Sequence, residues 1–324
     1  DNTVRLWPMR WKNWLEMGCN QLQYHPALVA PETDVAREAG ETCQKYVWNK
    51  TESAQFLVRQ GRALARSEDI QGGVAKFQQA KKLDATLNLE PEAEAKRLAV
   101  TVLLEAGKDL AGQGEYNEAI EKFQQALTLD PNLNLEPEAE AKRIAVPALV
   151  EAGKDLAGQG EYNEAVEKFQ QALTLDPTLN LEPEAEAKRI AVPVLVARGE
   201  QGVKDKKYQA AVEAYTAAQN IDDTVEISAQ TWNEICWLGS LRGEAVGVLE
   251  ACNQAVTLEP GYVGNRGLAK ALTGDNEGAI QDFQAFIQLS DNPGANRQVQ
   301  GYINALRAGE NPFTEAEIKQ LLGE

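Results

Sequence analysis

The eleven residues Leu87-Asn88-Leu89-Glu90-Pro91-Glu92-Ala93-Glu94-Ala95-Lys96-Arg97 recur unchanged from Leu133 and again from Leu179, each time 46 residues further on. The stretch Glu105-Ala106-Gly107-Lys108-Asp109-Leu110 likewise returns at Glu151. A fixed period of this size signals a stacked-repeat protein, in which each unit buries its apolar face against its neighbours. Such arrays present a surface rather than enclose a catalytic centre. Near-identity of the central units indicates recent duplication.

Outward from this stretch the texture is helical. Val100 through Gly112 suits one helix, Gln113-Gly114-Glu115 a turn, and Tyr116 through Leu129 a second helix stopped by Asp130-Pro131. A glycine turn and a terminal proline punctuate an antiparallel helix pair. The spacing Gly107, Ala119, Phe123, Ala126, Pro131 is repeated as Gly153, Ala165, Phe169, Ala172, Pro177. On these residues the chain resembles the tetratricopeptide repeat family, where Gly and Ala sit at a close helix crossing and the aromatic fills the gap beside them. Weaker copies flank the pair: Gly61, Gly73, Phe77, Ala80; Gly199, Ala211, Tyr215, Ala218; and Gly267, Ala279, Phe283. Another copy ends in Ala255 and Pro260 and carries Trp232, with Cys236 and Cys252 in place of the usual Gly and Phe. The resemblance covers residues 52–291. It implies an all-α, right-handed superhelical solenoid of about six helix pairs.

The family repeat is about 34 residues long, shorter than the period here. The extra dozen residues fall in the repeated eleven-residue stretch, read as two or three added turns on the front of each first helix. Pro91, Pro137 and Pro183 suit a first helical position, with acids following where the helix dipole favours them. Glu92 and Lys96, Glu138 and Lys142, and Glu184 and Lys188 lie four apart in the favourable order. Pro147 and Pro193 fall inside the extended helices and are expected to kink them, unlike Thr101; the alternative is a helix broken at those prolines.

In the resembling family, ligands lie against the first helices, one and four positions beyond the crossing glycine among others. Carried over, these are Arg62 and Ala65, Lys108 and Ala111, Lys154 and Ala157, then Glu200 and Val203, with Arg66 and Lys204 adjacent. The resemblance therefore implies a concave groove with cations at Arg62, Arg66, Lys108, Lys154 and Lys204. An acidic peptide or a C-terminal carboxylate would be held there by charge-assisted hydrogen bonds. The alternative is that these cations solubilise the surface or pair with Asp109 and Asp155.

The ends differ from the middle. Residues 1–8, Asp1-Asn2-Thr3-Val4-Arg5-Leu6-Trp7-Pro8, resemble the closing strand of a WD-repeat propeller blade. Residues 9–50 read as a helical connector, 51–294 as the solenoid, and 295–324 as capping helices. The last part contains Asn296–Arg307 and a helix Glu315–Leu322, with Thr314 and Glu317 as a capping box. Trp232 through Pro260, Arg266 through Asp275 and Asn304 through Phe313 resemble the C-terminal region of cyanobacterial multidomain proteins. There a WD-repeat propeller precedes such a tail, often behind a STAND-type nucleotide-binding module or a protease-like effector. This implies the sensing tail of a signalling or conflict-response protein. The chain opens with Asp1 and is expected to be a piece of a longer or processed protein.

A net charge of −17 argues against a nucleic-acid partner, which would require clustered Lys and Arg. No apolar run is long enough to cross a bilayer. Cys19, Cys43, Cys236 and Cys252 form no CxxC pair, and with one histidine, His25, they make a poor metal-ligand set. The expectation is free thiols in a reducing cytosol, hence a cytoplasmic protein with no metal and no cofactor. His25 has no orienting acid for nucleophilic catalysis. The Gly114 and Gly160 turns lack phosphate-loop spacing. Glu90, Glu92 and Glu94 are spread round a helix rather than gathered in a calcium loop. The sequence thus reads as a non-enzymatic protein–protein interaction scaffold. A structural spacer or self-association module is the alternative.

Overall fold

The computed structural model describes residues 10–324, so the strand expected at residues 1–8 lies outside the described residues. The described residues form seventeen α-helices and no strand. The chain divides into two compact units, Asp1–Leu149 and Val150–Glu324. The first holds α1 (Trp11–Leu22), α2 (Pro26–Val29), α3 (Asp34–Tyr46), α4 (Lys50–Arg66), α5 (Ile70–Leu83), α6 (Pro91–Gly112) and α7 (Tyr116–Leu129). The division falls within α8 (Pro137–Gly158). The second holds α9 (Tyr162–Leu175), α10 (Pro183–Lys204), α11 (Tyr208–Ile221), α12 (Ala229–Gly239), α13 (Leu249–Leu258), α14 (Val263–Leu272), α15 (Asn276–Leu289), α16 (Pro293–Arg307) and α17 (Glu315–Leu322).

Six helix pairs, from α4 with α5 to α14 with α15, carry the repeated crossing. At its centre, in every pair except α12 with α13, the first helix has no side chain and the second inserts a ring. A Cβ at Gly107 would lie 2.6 Å from Phe123, and one at Gly153 equally close to Phe169; Phe77 and Tyr215 meet Gly61 and Gly199 in the same way. Phe77, Phe123 and Phe169 are fully buried, as are the flanking alanines Ala119, Ala126, Ala165 and Ala172. Burying such a ring contributes about 1.5–3 kcal/mol. Gly114 closes the α6–α7 turn at φ 85°, which an L side chain rarely adopts.

The added residues do lengthen the first helices. α6, α8 and α10 each run 22 residues and begin at Pro91, Pro137 and Pro183. α8 and α10 continue through Pro147 and Pro193, so the broken-helix alternative does not hold. In α10 the proline is bracketed by buried side chains, Ala187 and Ala191 before it and Leu195 after it. Packing on both sides outweighs the missing hydrogen bond. The charge pairs differ from the expected spacing. Glu92 and Glu184 accept hydrogen bonds from Gln78 and Gln170, and Lys188 pairs with Asp222 at 3.1 Å. The arginine side chains three residues on from Glu94, Glu140 and Glu186 form the intrahelical pairs instead.

The expectation of free thiols is wrong. Cys19 and Cys43 join α1 to α3, and Cys236 and Cys252 join α12 to α13, all four being buried. The second bond stands at the crossing where the other pairs have Gly and a ring. A covalent link there replaces the packed aromatic. Their separations of 24 and 16 residues close loops for which chain entropy gives about 3 kcal/mol each. Reduction is therefore expected to lower the denaturation midpoint markedly, measured by guanidinium titration with and without reductant. Four thiols titrating in the unreduced, unfolded chain would contradict this pairing.

At the C-terminus, α16 and α17 cover the last pair. Thr314 caps α17 by accepting from the Glu317 amide at 3.4 Å. The other half of the expected capping box is not made, because the Glu317 carboxylate accepts from the Tyr302 hydroxyl and ties α17 to α16.

Candidate functional site

The cations expected to line a groove lie on first helices: Arg62 and Arg66 on α4, Lys108 on α6, Lys154 on α8 and Lys204 at the end of α10. The alanines carried over with them do not face a ligand. Ala65, Ala111 and Ala157 are fully buried. Arg66 and Lys204 are exposed and make no ion pair among the described residues.

Arg62, Lys108 and Lys154 are engaged by a feature that sequence reasoning missed. Arg62 reaches Glu94, in the added turn of α6, at 3.8 Å, and Glu94 is also held by Arg97 at 2.9 Å. One repeat on, Glu140 takes two hydrogen bonds from Arg143, at 2.9 and 2.7 Å. These bonds hold Glu140 below the ordinary carboxylate value against the upward push of burial, with a smaller downward pull from Arg143 and Lys108. In the second unit, Glu186 is held down in the same way by Arg189, again against burial, with Lys154 contributing. Lys154 also reaches Glu151 at 3.5 Å. Each glutamate of the added turn thus sits between its own arginine and a cation of the preceding first helix. Arg62 pairs with Glu94 and Lys154 with Glu151, rather than with the Asp109 and Asp155 of the alternative reading. Arg62 and Lys154 keep about half of their side-chain surface, 50% and 46%. They remain reachable by a competing carboxylate.

A second feature lies in the C-terminal unit. Trp237, Gly264, Asn265, Leu268, Phe286, Val299 and Tyr302 line an apolar cleft of about 160 Å³. Asn265 donates to Asn233 at 2.7 Å beside it, leaving the Asn265 amide its second N–H and its carbonyl oxygen for other groups. The cleft draws on several helices and no shared motif, so only the local run of aromatics hinted at it.

His25 serves a structural role, its Nδ1 accepting from the Ala27 amide at the start of α2. No helix among the described residues is long and apolar enough to cross a membrane.

Fold and surface together define a helical-repeat protein. Residues 100–133 and 146–179 match the tetratricopeptide repeat family's sequence profile. No curated protein sequence matches the chain significantly. Among solved structures, the chain is similar to the P58(IPK) TPR domain, at 17% identity over 93% of this chain and 99% of that one, with a TM-score of 0.28. It is also similar to yeast Tom70, at 12% identity over 97% and 99%, with a TM-score of 0.28. The TPR2AB domain of yeast Sti1, in a complex with a pHSP90 species, matches at 15% identity over 83% and 96%, with a TM-score of 0.25. Scores this low carry no information about partners.

Proposed function

We propose that this chain is a non-enzymatic protein–protein interaction scaffold that holds an acidic peptide or protein segment along its first helices. The observation that carries the reading is the half-exposed, loosely paired state of Arg62 and Lys154. At 3.8 and 3.5 Å these contacts, to Glu94 and Glu151, are long for charge-assisted hydrogen bonds, so a partner carboxylate can take over either cation, with Arg97 retaining Glu94. Arg66 and Lys204 add free positive charge at the same helix ends. A role as the sensing tail of a larger signalling or conflict-response protein rests on the resemblance of residues 232–260 to cyanobacterial multidomain tails. The cytoplasmic reading loses the support that free thiols would have lent it, since disulfides persist in oxidising compartments.

One observation favours a spacer instead. Arg62 bridges successive repeats through Glu94, and Lys108 and Lys154 act electrostatically on the next repeat's glutamate, which is what a rigid spacer would use. A selection of random peptides displayed on phage separates the two, run against the native chain and a variant carrying Arg62→Glu, Lys108→Glu and Lys154→Glu. Exposed ion pairs are worth about 0–1 kcal/mol each, so the variant is expected to fold. The scaffold reading expects Asp/Glu-rich peptides whose affinity falls by about tenfold or more in the variant, roughly 1.4 kcal/mol. Absence of enrichment, or affinity unmoved by the triple change, rejects the basic groove and leaves the spacer.

A further inference from the structure

Large apolar side chains are not exposed evenly over this protein. Among the described residues, seven of the eleven exposed large hydrophobics fall between Trp11 and Tyr46, before the repeats begin. Trp11 is 65% exposed, Trp14 56% and Tyr46 62%. Scattered apolar residues on a surface are ordinary, but a concentration of aromatics marks a contact site. Here they border a concavity. Trp11, Lys12, Leu15 and Glu16 of α1 and Tyr46 and Val47 at the end of α3 line a groove of about 300 Å³. The Cys19–Cys43 bond fixes its two walls to each other.

Each aromatic wall carries a cation. Lys12 lies over the Trp11 ring at 5.8 Å from its centre, and Lys45 over the Tyr46 ring at 4.9 Å. Arg10 is exposed immediately before α1. Within the lining Lys12 faces one acid, Glu16, so the excess of positive charge comes from Lys45 and Arg10 at its edge. The bias is confined to the rim, since residues 10–49 as a whole hold four Lys/Arg and five Asp/Glu. The groove is therefore locally positive on an acidic molecule.

We propose that the groove between α1 and α3 docks an acidic peptide segment bearing one large apolar side chain. The apolar group enters between Trp11, Leu15 and Tyr46. Carboxylates on either side of it meet Lys12 and Lys45, which leave their rings or bridge ring and carboxylate together. A membrane is the weaker occupant: the surface is concave rather than a convex stripe, and the net charge of the whole chain repels anionic lipid. This site is separate from the cations of the repeats and does not depend on them.

Indole resonances of ¹⁵N-labelled protein test it directly, since Trp11 lines the groove and Trp14 stands exposed on the same helix. The probes are a synthetic pentapeptide with one phenylalanine between two pairs of glutamates, its counterpart with lysines in their place, and vesicles containing anionic lipid. The expected result is a saturable shift of the Trp11 and Trp14 signals with the acidic peptide alone. In the Lys12→Glu/Lys45→Glu double variant the affinity falls by about tenfold or more. Both lysines are exposed, so folding is undisturbed, and the unmoved signals of buried Trp48 and Trp232 verify it. No shift in the full chain means the groove is closed or already filled, and overturns the proposal. So do an equal response to the basic peptide, a response to vesicles only, or shifts that follow protein concentration without any peptide.

Discussion

Replacing Phe123 by alanine is expected to cost about 3–5 kcal/mol, and the loss should be concentrated in α6 and α7. The ring is fully buried and is the side chain that a Cβ at Gly107 would meet, at 2.6 Å from Cε1 and 2.8 Å from Cδ1. Its removal leaves a cavity that the neighbouring fully buried alanines Ala111, Ala119 and Ala126 have no flexible mass to fill. In a repeat array each unit touches only its neighbours, so the damage stays local. Hydrogen exchange should accordingly show amide protection falling most in residues 91–129, with α14 and α15 little changed. The partnership gives a sharper test. Gly107→Ala alone should destabilise because the ring is packed and does not yield cheaply. Combined with Phe123→Leu, whose smaller side chain vacates that space, its cost should shrink, so the two changes should not add. Additive costs would mean that the crossing is not the contact that holds the pair together.

The crossing was legible because it is local: Gly, Ala, an aromatic and Ala recur at fixed offsets within one helix pair, and each residue type has a steric reason to be there. The lengths of α6, α8 and α10 were legible from Pro91, Pro137 and Pro183 for the same reason. What escaped depends on contacts between successive repeats. Glu94 meets Arg62, and Lys154 acts on Glu186, across 32 positions, a distance at which no helical period links them. The expected pairing of Glu92 with Lys96 was correct in spacing and wrong in fact, because Gln78 on the preceding helix offered Glu92 a partner. The Cys236–Cys252 bond had a readable signal. Both residues occupy the two positions that touch in every other pair, so two cysteines there are already within bonding reach, with Cα atoms 4.8 Å apart. The Cys19–Cys43 bond had no such signal, since α1 and α3 belong to no repeat. The aromatic groove they form was invisible for the same reason.

Replacing Asp282 by alanine is expected to cost a further 3–5 kcal/mol, through charge rather than volume. Asp282 on α15 is 5% exposed and accepts both of its bonds to Arg266 at 2.8 Å, while Lys270 reaches it at 2.9 Å. Both cations sit on α14, with only 22% and 19% of their side chains exposed. Removing the carboxylate strands two partly buried positive charges, whereas removing all three charges together does not. The triple variant Arg266→Met, Lys270→Leu, Asp282→Leu should therefore recover much of the stability that Asp282→Ala loses. The same triad predicts an acid dependence. Burial pushes the Asp282 carboxyl upward, but the hydrogen bonds from Arg266 and Lys270 outweigh it and hold the value below the ordinary one. A carboxylate lowered in the folded state contributes its full stability above its unfolded value, about 3.9, and loses it as pH falls through the folded value. Acid unfolding below about pH 4 should thus be shallower in Asp282→Asn than in the native chain, both measured by denaturant titration at fixed ionic strength. Because α14 and α15 also supply Gly264, Asn265, Leu268 and Phe286 to the apolar cleft, that cleft should lose its shape in Asp282→Ala and regain it in the triple variant. A ligand of the C-terminal unit would then bind the triple variant and not the single one.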